Sequence, residues 1–210
     1  MPLTIVQNDI TKMRVDAVVN AANTGLAPGS GVCGAIFAAA GAGKLDRACQ
    51  KIGHCAVGQA VITPGFALPA NHIIHTIGPI WQGGNQNEAA LLKSSYERSL
   101  QLAVENGCQS IAFPLISAGI FGYPKADALR IAMTAIYGFL QNHEMQIFLA
   151  VLDRNAVVMD GKWITDLQLY FNGSDQTVPN AIMEHCCSDV ALFIPNQRLS
   201  RDGAGEEGVL

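Results

Sequence analysis

The sequence predicts an α/β layer fold, and three observations predict it. Short apolar runs rich in β-branched residues alternate with longer stretches of helical period, as in layered α/β domains. Several of the short runs are apolar on both alternating sets, so they belong in the middle of a sheet covered on both faces. At 210 residues the chain is long enough for one well-buried domain and leaves little room for two.

The strands expected are LTIVQ (3–7), DAVVNA (16–21), QAVITPG (59–65), HIIHTIG (72–78), SIAFPLI (110–116) and QIFLAVL (146–152). The last three are the doubly apolar ones and should be central. A first helix, VCGAIFAAAG, follows a glycine-rich stretch. A second, NEAALLKSSYERSLQLAVENG, repeats apolar residues at Leu92, Tyr96, Leu100 and Ala103 and stops at Gly107. A third, PKADALRIAMTAIYGFLQNH, opens at Pro124 and carries Leu129, Met133, Ile136 and Leu140 at spacings of 3 and 4. A last helix is expected from Asp160 as N-cap, with Trp163, Leu167 and Tyr170 on one side and Gly173 at its end. Beyond it the pattern degrades, so residues 1–173 read as the domain and 174–210 as a tail or linker.

Composition excludes several function classes. Half the residues are hydrophobic, 14% are charged and the net charge is −4, which fits neither a disordered chain nor a basic nucleic-acid footprint. A small-molecule ligand is expected instead, with no direct nucleic-acid binding. No apolar run approaches the ~20 residues of a membrane span, so no membrane partner and a cytoplasmic location are expected. Cys33, Cys49, Cys55, Cys108, Cys186 and Cys187 are scattered and read as reduced thiols. Neither His54–Cys55 nor His185–Cys187 supplies a metal set at a recognised spacing, and no metal or cofactor is expected.

Gly29, Gly31 and Gly34 match G-x-G-x-x-G ahead of a helix. The dinucleotide reading fails on context, because the glycines stand far from the preceding strand and no acidic residue ends a second strand ~20 residues on. A P-loop fails because no Gly-Lys-Ser/Thr follows. The physical content survives: glycines let backbone N–H groups approach an anion, and the helix start at Val32–Gly34 adds partial positive charge. A second loop, PLISAGIFGYP (114–124), again leads from a buried strand into a helix. Two such loops at strand C-termini make a clamp where open α/β sheets bind ligands.

Four ordered segments, NDITKMRVDAVVNAANTGL, GSGVCGAIFAAAG, GQAVITPGFALPANHIIHTIGPIW and PLISAGIFGYPK, resemble the landmarks of the macrodomain family, in particular bacterial macrodomains of the O-acetyl-ADP-ribose deacetylase kind. The resemblance covers about residues 1–172. It implies a three-layer α/β/α fold around a mixed, mainly parallel sheet, with ADP-ribose between the two glycine loops. It also implies ADP-ribose, ADP-ribosylated proteins or O-acetyl-ADP-ribose as partners. By position, Asp9 would accept from the adenine amino group, with Ile10 beside it. Asn20, Ala22 and Asn23 would line the distal ribose. Gly29, Gly31, Val32, Cys33 and Gly34 would hold the diphosphate from one side. Ser117, Ala118, Gly119, Ile120 and Gly122 would hold it from the other. Phe121 would pack over the distal ribose and Leu152 against the adenine. Blander roles stand beside these: Asp9 as a turn cap, Asn20 as a tie within its own loop, Phe121 and Leu152 as rim or core residues.

The chain departs from the deacetylase pattern at Cys33 and Phe37, where the catalytic members carry aspartate and histidine. Three readings of Cys33 stand open: a small buried hydrophobe, a thiolate activated by the helix start, or a bystander to a water positioned by Asn23 and the substrate's own diphosphate. The function expected is therefore an ADP-ribose-binding domain that hydrolyses ADP-ribose from modified proteins or deacetylates O-acetyl-ADP-ribose, with Asn23 and Cys33 as the candidate catalytic residues. The alternatives are a reader without turnover and, further off, an NAD-linked oxidoreductase.

Overall fold

The computed structural model describes residues 2–152 and the strand residues 158–159 and 162–163. Six strands, β1 (Leu3–Gln7), β2 (Ala17–Ala21), β3 (Ala60–Pro64), β4 (His72–Thr76), β5 (Ser110–Phe113) and β6 (Gln146–Val151), form one sheet in the order β1-β6-β5-β2-β4-β3. Every pairing is parallel except β3 with β4. The helices are α1 (Gly31–Ala40), α2 (Ala42–Ile52), α3 (Glu88–Glu105) and α4 (Lys125–Leu140), with a 3-10 turn at Ile10–Lys12.

The alternation of each strand sorts its residues between two cores. Ala17, Val19, Ile74, Ile111, Phe113, Ile147 and Leu149 pack with Leu92, Tyr96 and Leu100 of α3 and Leu129, Met133 and Ile136 of α4. Val18, Ile73, Ala112 and Ala150 face the other way, toward Ile36, Phe37 and Ala40 of α1 and Leu45 and Cys49 of α2. The result is three layers, with β4, β5 and β6 inside the sheet as their apolar composition requires. Among the described residues, no helix is long and apolar enough to cross a membrane, and Cys33, Cys49, Cys55 and Cys108 are free, buried thiols.

The segment after Gly41, which contains Asp46, forms α2, a separate helix whose strongly amphipathic face buries only Leu45 and Cys49. One expectation needs correction. Instead of a helix starting at Asp160, β7 (Val158–Met159) pairs antiparallel with β8 (Lys162–Trp163). The Asp-Gly pair between them is a strong two-residue hairpin signal, and it outweighs the capping preference of aspartate. Leu167, Tyr170 and the boundary at 173 lie outside the described residues.

The β2–β5 seam sets up everything at the sheet's far edge. Its ladder lasts only two residue pairs, Ala17 with Ile111 and Val18 with Ala112, while β2 stays paired to β4 through Ala21. At the closed end the Asp16 carboxylate accepts from the Ser110 hydroxyl at 2.8 Å and from the N–H groups of Gln109 and Ser110, both at 2.9 Å. The Asp16 N–H donates in return to Ser110 Oγ. At the open end the two strands part, and each runs into a glycine loop.

The Ser110 hydroxyl, with the two N–H groups, holds the Asp16 carboxyl below its ordinary value. A carboxylate with a depressed native pKa stabilises the fold above its unfolded pKa, and that stability is lost as pH falls through the native value. We therefore expect Asp16→Ala to cost about 1–3 kcal/mol near neutral pH, and to lose less than wild type on acidification below about pH 4. Urea denaturation at pH 7 and pH 3 checks both.

Candidate functional site

A cleft of about 550 Å³ opens where β2 and β5 part. The strand order fixes which part of the chain supplies each stretch of it. Asn8, Asp9 and Ile10 follow β1, Leu152 follows β6, residues 114–121 follow β5, and Ala22 to Cys33 follow β2. With neighbouring strands about 4.8 Å apart, the β1 and β2 ends stand about 14 Å from each other. That length suits an elongated ligand.

The first loop is built around Asn23. Its Nδ2 donates to the Ala27 carbonyl at 2.8 Å and its Oδ1 accepts from the Ala27 N–H at 3.0 Å, so the amide braces the turn while keeping one further donor and one further acceptor site. Gly29, Gly31, Val32 and Cys33 line the cleft. Ser30 stands at the N-cap of α1 with an extended backbone and no side-chain cap bond. The first-turn N–H groups of α1 therefore lack an intrahelical acceptor and face an anion site. Gly34 is not a lining residue; a Cβ there would come within 2.5 Å of the Gly29 carbonyl oxygen, so its role is to let helix and loop touch.

The second loop is held from below and from the side. Tyr96, fully buried on α3, accepts from the Ile116 N–H at 3.1 Å. Trp81 donates its backbone N–H to the Phe121 carbonyl at 2.8 Å, and its ring packs on Tyr123 at 4.6 Å. Ser117, Ala118, Gly119, Ile120 and Phe121 line the cleft, whereas Gly122, at φ +70°, makes the turn behind them. Ser117 is itself at φ +63°, a conformation rare outside glycine, and its buried hydroxyl has no hydrogen-bond partner. Ile120 and Leu152 are exposed apolar side chains at the mouth, 78% and 77% accessible.

Asp9 has the turn-capping role and also stands in the cleft wall. It accepts from Thr11 N–H at 3.0 Å and Thr11 Oγ1 at 2.7 Å. The Thr11 hydroxyl and N–H hold its carboxyl below the ordinary value.

Asn20 lies under the cleft rather than in its lining. It shares the alternation of Val18, so it points toward α1 and α2 and is fully buried. There its Nδ2 donates to His75 Nδ1 at 3.0 Å and lies 3.7 Å from Cys33 Sγ, while its Oδ1 is unpartnered. With Nδ1 accepting, the His75 proton sits on Nε2 and donates to Thr63 Oγ1 at 2.9 Å. Burial pushes His75 down to about 4 and raises the Cys33 thiol above its ordinary value. Cys33 thus enters the floor of the cleft as a protonated thiol, touching Asn20 and the Ala27 carbonyl. No imidazole or carboxylate hydrogen-bonds it among the described residues.

Sequence reasoning missed Asn8, Ser30 and Lys125 in the lining. Lys125 had a signal, as a cation one residue past the loop-closing Pro124. The Asn20–His75 pair had none, because it is made across the β2–β4 register.

Residues 19–132 match the profile of the Macro domain. The chain belongs to the Macro domain family. A macro domain-containing protein of Chlorobaculum tepidum is 51% identical over 156 residues, covering 73% of this chain and 90% of the relative. The O-acetyl-ADP-ribose deacetylase of Escherichia coli K12 is 47% identical over 155 residues, 71% of this chain and 87% of that enzyme. Among solved structures, the Oceanobacillus iheyensis macrodomain with ADP superposes with a TM-score of 0.71 at 39% identity, covering 73% of this chain and 85% of that one. A mutant of the same macrodomain carries ADPR, with a TM-score of 0.70.

As a macrodomain site, the cleft offers backbone donors and small residues on two sides and titratable groups at few points. At its Cys33 end stand Asn23, backbone N–H groups and a protonated thiol.

The buried imidazole generates a pH prediction. A histidine held neutral at a native pKa of about 4, against 6.5 when unfolded, binds fewer protons folded than unfolded between those values. Stability should therefore fall by on the order of 3 kcal/mol as pH drops from 6.5 to 4, about 1.4 kcal/mol for each unit of pKa difference. Denaturant melts across this range should show the slope, and His75→Gln should flatten it.

Proposed function

We propose that the chain binds ADP-ribose in this cleft and slowly hydrolyses esters at its distal ribose, releasing an acetyl group or a protein carboxylate. One observation carries the binding half. Uncapped N–H groups at the start of α1 and the loop 117–121, in which Ser117 holds φ +63°, stand on opposite walls of a cleft about 14 Å long. A diphosphate between these walls receives backbone donors, and Asp9 stands at the far end as an acceptor for an exocyclic amine. The relatives support the same ligand: solved macrodomains with ADP and with ADPR, and a deacetylase of O-acetyl-ADP-ribose.

For turnover, water adds to the ester carbonyl and gives up a proton to solvent or to the ligand's diphosphate; the bond between the carbonyl carbon and the ribose oxygen then breaks, and that oxygen takes up a proton from the same source to leave as a hydroxyl. Asn23, braced by Ala27, has one free donor and one free acceptor site for the ribose hydroxyls or that water. The protonated, desolvated Cys33 is a bystander. A second reading, a binding module without turnover, is favoured by the same thiol, since it leaves the ribose end without a base.

Asp9→Ala should weaken ADP-ribose binding by about 1–3 kcal/mol in calorimetric titration, with folding retained. An unchanged affinity contradicts the adenine assignment. In single-turnover assays with O-acetyl-ADP-ribose, Cys33→Ala should stay within a few-fold of wild type, while Cys33→Asp should gain roughly 10²–10⁴-fold as a base is restored. Activity lost in Cys33→Ala with binding intact would show a thiolate mechanism, and no turnover in wild type would show a reader.

A further inference from the structure

We propose that a second groove, along α2, is a docking surface for an acidic segment of a protein partner. We further infer that it holds the polypeptide whose ADP-ribose occupies the cleft, a step that rests on the function proposed above. The groove, about 520 Å³, is lined by Lys44, Arg47 and Lys51 on one side and by Ile62, Pro64 and Phe66 on the other.

The three cations recur at i, i+3 and i+7, so they share one side of the helix over about 10 Å. All three are exposed, and among the described residues none is in an ion pair. Elsewhere on the molecule the pattern differs: Lys12, Lys93 and Arg130 each have a carboxylate one helical turn away. Asp46, the acid nearest in sequence, is engaged by Gln50 Nε2 at 2.8 Å. A cluster of unpaired cations on a chain of net charge −4 marks a site for a local anion.

Apolar contacts narrow the partner. Ile52 and Phe66 are 39% and 38% accessible, and Phe66 holds a left-handed backbone, φ +53°, which an aromatic side chain rarely adopts. A polynucleotide, with a charge every ~1.7 Å of duplex, would extend past the row of three cations, which spans only about 10 Å. A short peptide that mixes carboxylates with apolar side chains fits both sides of the groove.

The Ile52 end of the groove is linked through the chain to the first loop of the cleft, whereas Pro64, paired with His72, stands at the other end of the sheet. From Ile52 the chain turns at Gly53 to Cys55, whose N–H donates to the Thr24 carbonyl at 3.0 Å, next to Asn23. An ester between the distal ribose and a protein is an ester of aspartate or glutamate. Three or four extended residues cover the length of the cation row.

The test uses a fluorescein-labelled peptide, Glu-Leu-Glu-Glu-Phe-Asp-Leu-Glu, with the full chain and anisotropy as readout. The peptide should bind, bind more weakly as salt rises, and bind at least tenfold more weakly to the Lys44→Glu, Arg47→Glu, Lys51→Glu triple variant. Phe66→Ala should lose several-fold, and the ADP-ribose affinity of both variants should stay within twofold of wild type. Equal binding to wild type and triple variant, no binding, or equal binding of a peptide with lysine for every acid overturns the proposal. A single-stranded oligonucleotide that binds more tightly than the peptide also overturns it and assigns the groove to nucleic acid. If wild type fails to bind ADP-ribose but binds the peptide, the cleft reading fails and the docking surface stands.

Discussion

The cleft depends on one junction, the short β2–β5 seam clasped at its closed end by Asp16. Parallel strands that stayed paired to their ends would leave their loops side by side and closed. Here the ladder stops after two pairs, so the glycine loops diverge and a crevice lies between them. The clasp of Ser110 and Gln109 on Asp16 is what lets the open end be open, because it anchors the register from which both loops are launched. Open α/β sheets bind ligands where connections leave a strand pair in opposite directions. That is the case at this seam: α1 follows β2 on one face and α4 follows β5 on the other.

From the seam follows the chemistry. In the function proposed above, ligand charge would be met by backbone N–H groups and a helix start rather than by a set of arginines, which is compatible with an acidic chain. Rigidity is supplied from outside the cleft. Tyr96 fixes the start of the second loop, Trp81 its end, and Asn23 closes the first loop on Ala27. Beneath the floor, His75 orients Asn20, which in turn touches Cys33. At the position that decides between binding and turnover, the chain thus has a desolvated thiol supported by neutral partners.

How much of this was legible in the sequence varies with the range of the interaction. The six strands and the helices at 88–105 and 125–140 were readable, since periodicity and end signals are local and these elements obey them. The two glycine loops were readable as cleft walls from glycine spacing and the helices they open. Two features were not. The hairpin at 158–163 was missed because Asp160 serves both as a helix cap and as a turn residue. Asn20 was placed in the cleft because sequence order puts it beside Ala22 and Asn23, whereas strand alternation turns it inward, onto a histidine 55 positions away.

The central claim is that a diphosphate lies between the two loops with its adenosine toward Asp9 and its distal ribose toward Asn23 and Cys33. A crystal structure of the protein soaked with ADP-ribose tests it most directly. The account predicts phosphate oxygens within hydrogen-bond distance of N–H groups in both 29–34 and 117–121, and a ribose over Cys33. A ligand found in the reverse orientation, or anchored by side-chain cations outside the β2–β5 crevice, would contradict it.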